Sequence, residues 1–105
     1  MSDSQNVRFA PSDLYVYVHY DAVHLPVRLA WALKNSESRW GDTEYFTRFV
    51  VGHLIMPYMD SVVGAGMGVG KGTTTDYPDI IVDTALQTVD GVGFAQFVID
   101  VLKDV

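Results

Sequence analysis

Apolar side chains are densest near the middle of the chain, between residues 44 and 63. They do not alternate strictly with polar ones, as a half-buried strand would require. Three residues that lack a large apolar side chain recur every four positions and form one narrow stripe on a helix: Glu44, Arg48 and Gly52. The pattern therefore predicts a central helix that is apolar on most of its circumference and buried by neighbours on several sides.

The ends of this central helix carry their own signals. Asp42 or Thr43 is expected to cap its start by accepting a hydrogen bond from a free backbone amide. Pro57 has no amide hydrogen and clashes with the preceding turn, so it predicts a kink between residues 53 and 57, or a division into two shorter helices.

The run from Leu14 to Tyr20 is rich in aromatic and β-branched residues and predicts an extended strand. Its partner is not evident from the sequence. The strand either pairs across a dimer or pairs with a weaker strand around Val7–Phe9, unless the segment is a helix capped by Ser12 or Asp13, because short apolar runs are ambiguous.

Three further helices are predicted around the central one. The first begins near Pro26, which fits a first helical turn, and ends at Asn35. A short amphipathic helix follows Pro78, with Asp79, Asp83 and Gln87 on its polar side. The last covers residues 92–103 and is expected to bury four apolar residues: Phe94, Val98, Val101 and Leu102.

These elements predict a mainly α fold, with α+β as the alternative. The expected architecture is a small bundle of about four helices around the kinked central helix, with one N-terminal strand. Residues 1–10 show no periodicity and are expected to form a loose arm. Residues 11–105 are expected to form a single globular domain, since 105 residues is close to the common domain size.

Charge and cysteine content narrow the functional classes. The chain has no cysteine, which excludes disulfides, thiolate metal sites and cysteine nucleophiles. The net charge of −6 disfavours direct nucleic-acid binding, which needs clustered lysine and arginine. Because the residues from position 53 onward carry most of this charge, an acidic surface there is expected to meet a basic protein partner.

No membrane association is predicted. Between Arg48 and Asp60 only the stretch 49–59 is free of formal charge, and it is too short to cross a bilayer. The first residues are polar and lack the apolar region of a signal peptide. A cytoplasmic location is therefore expected, with the interior of a host cell as one alternative.

Glycine occupies every second position from 64 to 72, which is the most unusual local pattern. The tract does not fit the phosphate-binding loop, because that motif requires a serine or threonine where Gly72 stands. It either connects two elements flexibly or forms a backbone nest for an anion. The residues that would hold the anion are Gly68, Gly70, Lys71 and Thr73.

No catalytic, metal or cofactor site is predicted. The histidines His19, His24 and His53 have no spacing typical of metal ligands, and no serine lies in a nucleophile motif. His53 lies within the apolar helix, which favours a hydrogen-bonded core histidine over a ligand. The chain is therefore predicted to be non-enzymatic.

Protein–protein binding is the function that these observations favour. The hypothesis is a small acidic inhibitor, of the kind encoded by viruses or mobile elements, which occludes a basic host protein that handles nucleic acid. One alternative is an assembly subunit that self-associates through the Leu14–Tyr20 strand, and another is a small anion-binding protein that uses the glycine tract. The candidate partner-binding residues are Tyr15, Tyr17, His19, Asp76, Asp79 and Asp83.

Overall fold

The computed structural model describes residues 4–12, 14–18, 24–56, 68–70 and 75–103. Within these residues the chain forms one six-stranded mixed sheet and three α-helices. The elements in chain order are β1 (Gln5–Ala10), β2 (Leu14–Val18), α1 (Leu25–Asn35), α2 (Thr43–Ile55), β3 (Gly68–Gly70), β4 (Ile80–Asp83), β5 (Thr88–Val89), β6 (Val92–Gly93) and α3 (Phe94–Leu102). A short 3-10 helix, Glu37–Arg39, lies between α1 and α2.

The strands lie in the order β3-β2-β1-β4-β5-β6. β1 is central: it pairs antiparallel with β2, with Val7 opposite Val16, and parallel with β4, with Val7 opposite Ile80. β5 and β6 continue the sheet as an antiparallel hairpin. The parallel β1–β4 pair joins segments more than 70 positions apart, so both ends of the chain contribute to the middle of one sheet.

One face of the sheet carries the hydrophobic core, because alternate strand residues point to the same side. Val7 and Phe9 of β1, Val16 and Val18 of β2, and Val82 of β4 are fully buried. All three helices add residues to the same core cluster, so they cover the same face of the sheet. The helical members of the cluster are Leu25, Leu29, Ala32, Leu33, Phe46, Val50, Leu54 and Phe94.

Each helix begins where the sequence supplies a suitable residue. Pro26 lies in the first turn of α1, where its missing amide hydrogen costs nothing. Asp42 caps α2, since its carboxylate accepts a hydrogen bond from the backbone amide of Tyr45 at 3.4 Å. Gly93 precedes α3 without a side-chain cap. The helix prediction that started at Pro26 and the capping prediction for Asp42 are therefore confirmed.

The predicted fold class is wrong, because the chain is an α+β protein with a six-stranded sheet and not a mainly helical bundle. The main error concerns residues 78–88, which were predicted as an amphipathic helix. Ile80–Asp83 forms strand β4, and its alternating buried and exposed residues follow a period of two. A run of three β-branched residues, Ile80, Ile81 and Val82, favours a strand in a segment this short.

The N-terminal arm is also corrected. Gln5–Ala10 is the central strand of the sheet and not a loose arm. The predicted strand at residues 14–20 is confirmed over Leu14–Val18, and its partner is the segment around Val7–Phe9, which was one of the alternatives. β2 is hydrogen-bonded on both sides, by β1 and β3, so it offers no free edge for self-association.

The central helix is confirmed as α2, but its burial differs from the prediction. Only Phe46, Val50 and Leu54, spaced four residues apart, are buried, so the helix buries a single stripe. Tyr45 and Met56 are exposed. The kink or division predicted at Pro57 lies outside the described residues.

Candidate functional site

The two tyrosines proposed for partner binding lie on the sheet face opposite the core. Tyr15 is opposite Arg8 of β1 and Gly70 of β3, and Tyr17 is opposite Gly68 of β3. Both side chains are partly buried. His19, the third member of this predicted surface, lies outside the described residues.

The three candidate aspartates all form hydrogen bonds within the protein. Asp76 Oδ2 accepts from the Ser4 hydroxyl at 3.1 Å and from the Ser4 amide at 3.3 Å. Asp79 Oδ1 accepts from Asn6 Nδ2 at 3.1 Å. Asp83 Oδ1 accepts from the backbone amides of Ala85 and Leu86, at 2.9 and 2.8 Å, and so fixes the turn after β4. The structure brings Asp79 and Asp83 to the sheet but gives each an internal partner.

The proposed anion nest is not formed by the described part of the glycine tract. Gly68 and Gly70 belong to β3, which is extended and pairs with β2. A nest requires successive amides on a curved backbone, which a strand does not provide. Lys71 and Thr73 lie outside the described residues.

The most unusual surface belongs to α3, in which two apolar residues are exposed and four are only partly buried. Of its nine residues only Phe94 is buried, and Ile99 is 60% exposed. At 100° per residue, the apolar positions cover an arc of about 200°. One stripe of this arc contains Phe94, Phe97 and Val98, which pack toward the core. A second stripe, formed by residues 95, 98, 99 and 102, shares Val98 with the first and lies further from the core, with Ala95 and Ile99 exposed.

This second stripe borders a groove of about 500 Å³ between α3 and the segment that ends α1. We call it the α1–α3 groove. Its apolar surface comes from Trp40 and from α3, and three charged residues stand at its margin. The lining residues are Lys34, Glu37, Trp40, Ala95, Val98, Ile99, Leu102 and Lys103.

Trp40 fixes the shape of the groove. Its indole Nε1 donates a hydrogen bond to the Leu33 carbonyl at 3.0 Å. Its ring meets Phe94 edge to face, with centroids 5.3 Å apart. Phe94 in turn stacks on Phe46 at 5.1 Å. The exposed surface is therefore connected to the core through a chain of aromatic contacts, and the groove exists before any partner binds.

A second, smaller depression of about 330 Å³ lies on α2 and is lined by Arg48, Phe49, Gly52, His53 and Met56. His53 stacks on Phe49 with ring centroids 6.1 Å apart. Partial burial, and to a lesser extent the positive charge of Arg28, lower the pKa of His53 below 6.5. The position of His53, partly buried beside this surface depression, differs from the hydrogen-bonded core histidine that the sequence predicts.

Two negative observations concern the described residues. No three histidine, aspartate or glutamate side chains among them come close enough together to hold a metal ion. No helix among them has the length and apolar character needed to cross a bilayer.

Comparison with protein-family models, with curated proteins and with solved structures gives no match for this chain.

The sequence contained a signal for the α1–α3 groove. Ala95, Val98, Ile99 and Leu102 follow the spacing i, i+3, i+4, i+7, which forms one apolar stripe on a helix. The prediction placed Val98 and Leu102 in the core and left Ile99 without a role. A nine-residue helix that is apolar over such a wide arc has more apolar surface than one contact with a sheet can bury.

Proposed function

We propose that this protein is a non-enzymatic binding domain that holds an amphipathic helix of a partner protein in the α1–α3 groove. The observation that carries the proposal is the second apolar stripe of α3, with Ile99 60% exposed. Contiguous exposed apolar surface bordered by charged residues is typical of interaction sites. The proposal retains the protein-binding function predicted from the sequence but assigns it to another surface.

The shape of the groove favours a helix over a small ligand. A site for a small molecule encloses most of the ligand surface, whereas Ile99 at the border of this groove remains mostly accessible to solvent. The nine residues of α3 span about 13 Å at 1.5 Å per residue, which matches two to three turns of a partner helix lying alongside. Helix-in-groove recognition uses apolar anchors at i, i+3, i+4 and i+7.

The rigidity of the groove supports the same function. Because Trp40 is held by its hydrogen bond to the Leu33 carbonyl and by its contact with Phe94, little side-chain entropy is lost when a partner covers it. Aromatic residues fixed in this way are typical of the energetically important centre of an interface.

Site-specific photo-crosslinking tests the proposal. The photoreactive residue p-benzoylphenylalanine would be placed at Ile99 and, as a control, at Leu86, which is 73% exposed but does not line the groove. In extracts of the cells that produce the chain, we expect a discrete adduct from position 99 and none from position 86.

A second substitution shows whether the adduct depends on the groove. Ala95→Asp places a carboxylate on the groove surface, and its position in the first turn of α3 is compatible with the helix dipole. Ala95→Asp should suppress the adduct. Gln96→Asp introduces the same carboxylate at the next residue, which lies on the polar side of α3, and it should leave the adduct unchanged. An adduct that is unaffected by Ala95→Asp, or that forms equally from position 86, would refute the proposal.

A further inference from the structure

The charges of the described residues are divided between the two layers of the fold. The helical layer, residues 24–56 and 94–103, carries five bases and four acids. The remaining described residues, which form the sheet and its connections, carry one base and four acids. The helical layer is therefore slightly positive, although the chain as a whole has a net charge of −6.

A partner bound in the α1–α3 groove would meet the charged residues at the margin of the groove. Lys34 of α1 and Lys103, directly after α3, both line the groove, with Glu37 as the single acid among the lining residues. The Lys34 ammonium lies 4.8 Å from the centroid of the Trp31 ring. Neither lysine makes an ion pair with a carboxylate of the described residues.

Among the described residues, the acids of the sheet layer do not cancel this local charge. At physiological ionic strength the screening length is about 8 Å, so charges on the far side of the sheet act only weakly at the groove. A carboxylate placed beside a lysine at the margin of an apolar contact is partly shielded from water, which strengthens the attraction. The local charge of the groove margin thus favours acidic over basic flanking residues in the bound segment.

We propose that the helix bound in the α1–α3 groove carries aspartate or glutamate on both sides of its apolar stripe, where these residues pair with Lys34 and Lys103. This inference depends on the proposed function and specifies the chemistry of the partner. It reverses the expectation of a basic partner that the overall charge of the chain suggested.

A displayed library of helical peptides tests the inference. Each peptide has about 18 residues, enough for a marginally stable helix, with leucine fixed at i, i+3, i+4 and i+7. The flanking positions are randomised equally among glutamate, lysine, glutamine and serine. Selection on the wild-type protein should enrich glutamate at these positions, and the same selection on the Ala95→Asp variant should enrich no peptide.

Charge reversal then connects the preference to the two lysines. For the peptide selected most strongly, Lys34→Glu combined with Lys103→Glu should weaken binding about tenfold, since two attractive contacts become repulsive. The matched reversal Arg48→Glu, on α2 outside the groove, should change binding less than twofold. Fluorescence anisotropy with a labelled peptide measures both.

The outcomes separate the two proposals. Enrichment of lysine or neutral flanks on the wild-type protein, but none on Ala95→Asp, would overturn the acidic-partner inference and leave the binding function in place. Equal enrichment on both proteins would overturn the function itself. Dimerisation of the wild-type chain that Ala95→Asp abolishes, measured by light scattering, would show that a second copy occupies the groove and would overturn the inference.

Discussion

Two glycines allow one substitution to be tested in opposite backbone environments. Gly52 lies in α2, and Gly91 lies between β5 and β6 with φ +85°. A Cβ atom added at either position meets no atom within 4 Å, so packing contributes little to either change. The same replacement by alanine should therefore report only the conformational preference of the backbone.

The two effects have opposite signs. In a helix, alanine is favoured over glycine by about 1 kcal/mol, because glycine loses more conformational freedom on folding. Gly52→Ala should thus stabilise the protein by about that amount. At the left-handed backbone of Gly91, an alanine Cβ approaches the following carbonyl and costs about 1–2 kcal/mol. Gly91→Ala should destabilise the protein accordingly, whereas Gly91→Asn should cost less, since asparagine adopts this conformation more readily.

Urea denaturation followed by circular dichroism measures these changes. The unfolding free energies of the two alanine variants should differ by about 2–3 kcal/mol, which corresponds to about 10 °C in melting temperature for a domain of this size. A destabilising effect of Gly52→Ala would mean that α2 does not contain residue 52 as a regular helical residue. A neutral effect of Gly91→Ala would contradict the turn between β5 and β6.

Three further predictions concern hydrogen bonds and pH. Trp40→Phe removes the indole hydrogen bond to the Leu33 carbonyl. This carbonyl still accepts hydrogen bonds from the Ser36 amide and hydroxyl. The substitution should therefore lower the unfolding free energy, measured by urea denaturation, by about 1 kcal/mol. Asp83→Ala removes the acceptor for the Ala85 and Leu86 amides and should cost about 1 kcal/mol in thermal unfolding; Asp83→Asn, which keeps an acceptor, should cost less. Because the pKa of His53 is lowered in the folded state, the unfolded chain binds the proton more tightly, so the unfolding free energy should fall as the pH drops below 6.5. His53→Gln should weaken this pH dependence, measured by urea denaturation between about pH 5 and pH 8, and an unchanged profile would show that other groups cause it.

Short stretches of sequence were sufficient to predict several helices and strands. Three signals each act within a few residues, so a single sequence reveals them: the cap at Asp42, the proline at position 26, and the aromatic and β-branched residues of Leu14–Val18. The hairpin of β5 and β6 also has a local signal, Asp90–Gly91 between two short strands, which the prediction of a helix after Pro78 does not use. An aspartate–glycine pair at such a position is typical of a tight hairpin turn, because both residues adopt positive φ, here 49° and 85°.

The sheet order could not be predicted in the same way. β1 carries only two large apolar residues, Val7 and Phe9, and its character as a central strand depends on pairing with β4, far away in sequence. Likewise, the apolar arc of α3 shows that much of the helix is apolar but not which part faces the core. That division depends on where α1 and the sheet contact α3, which is a property of the tertiary structure.

The acidic residues show why the charge of a sequence does not locate its binding surface. Asp76 and Asp79 connect the segment before β4 to Ser4 and Asn6 near the start of the chain, and Asp83 holds a turn. A basic partner that bound the same carboxylate oxygens would have to compete with these internal hydrogen bonds. Lys34 and Lys103, in contrast, have no carboxylate partner in the described part of the chain. The charge available for recognition at the groove is therefore positive in a protein of net charge −6. Binding of an acidic helix should accordingly weaken as salt is added, although the overall charges of the two molecules would predict the opposite.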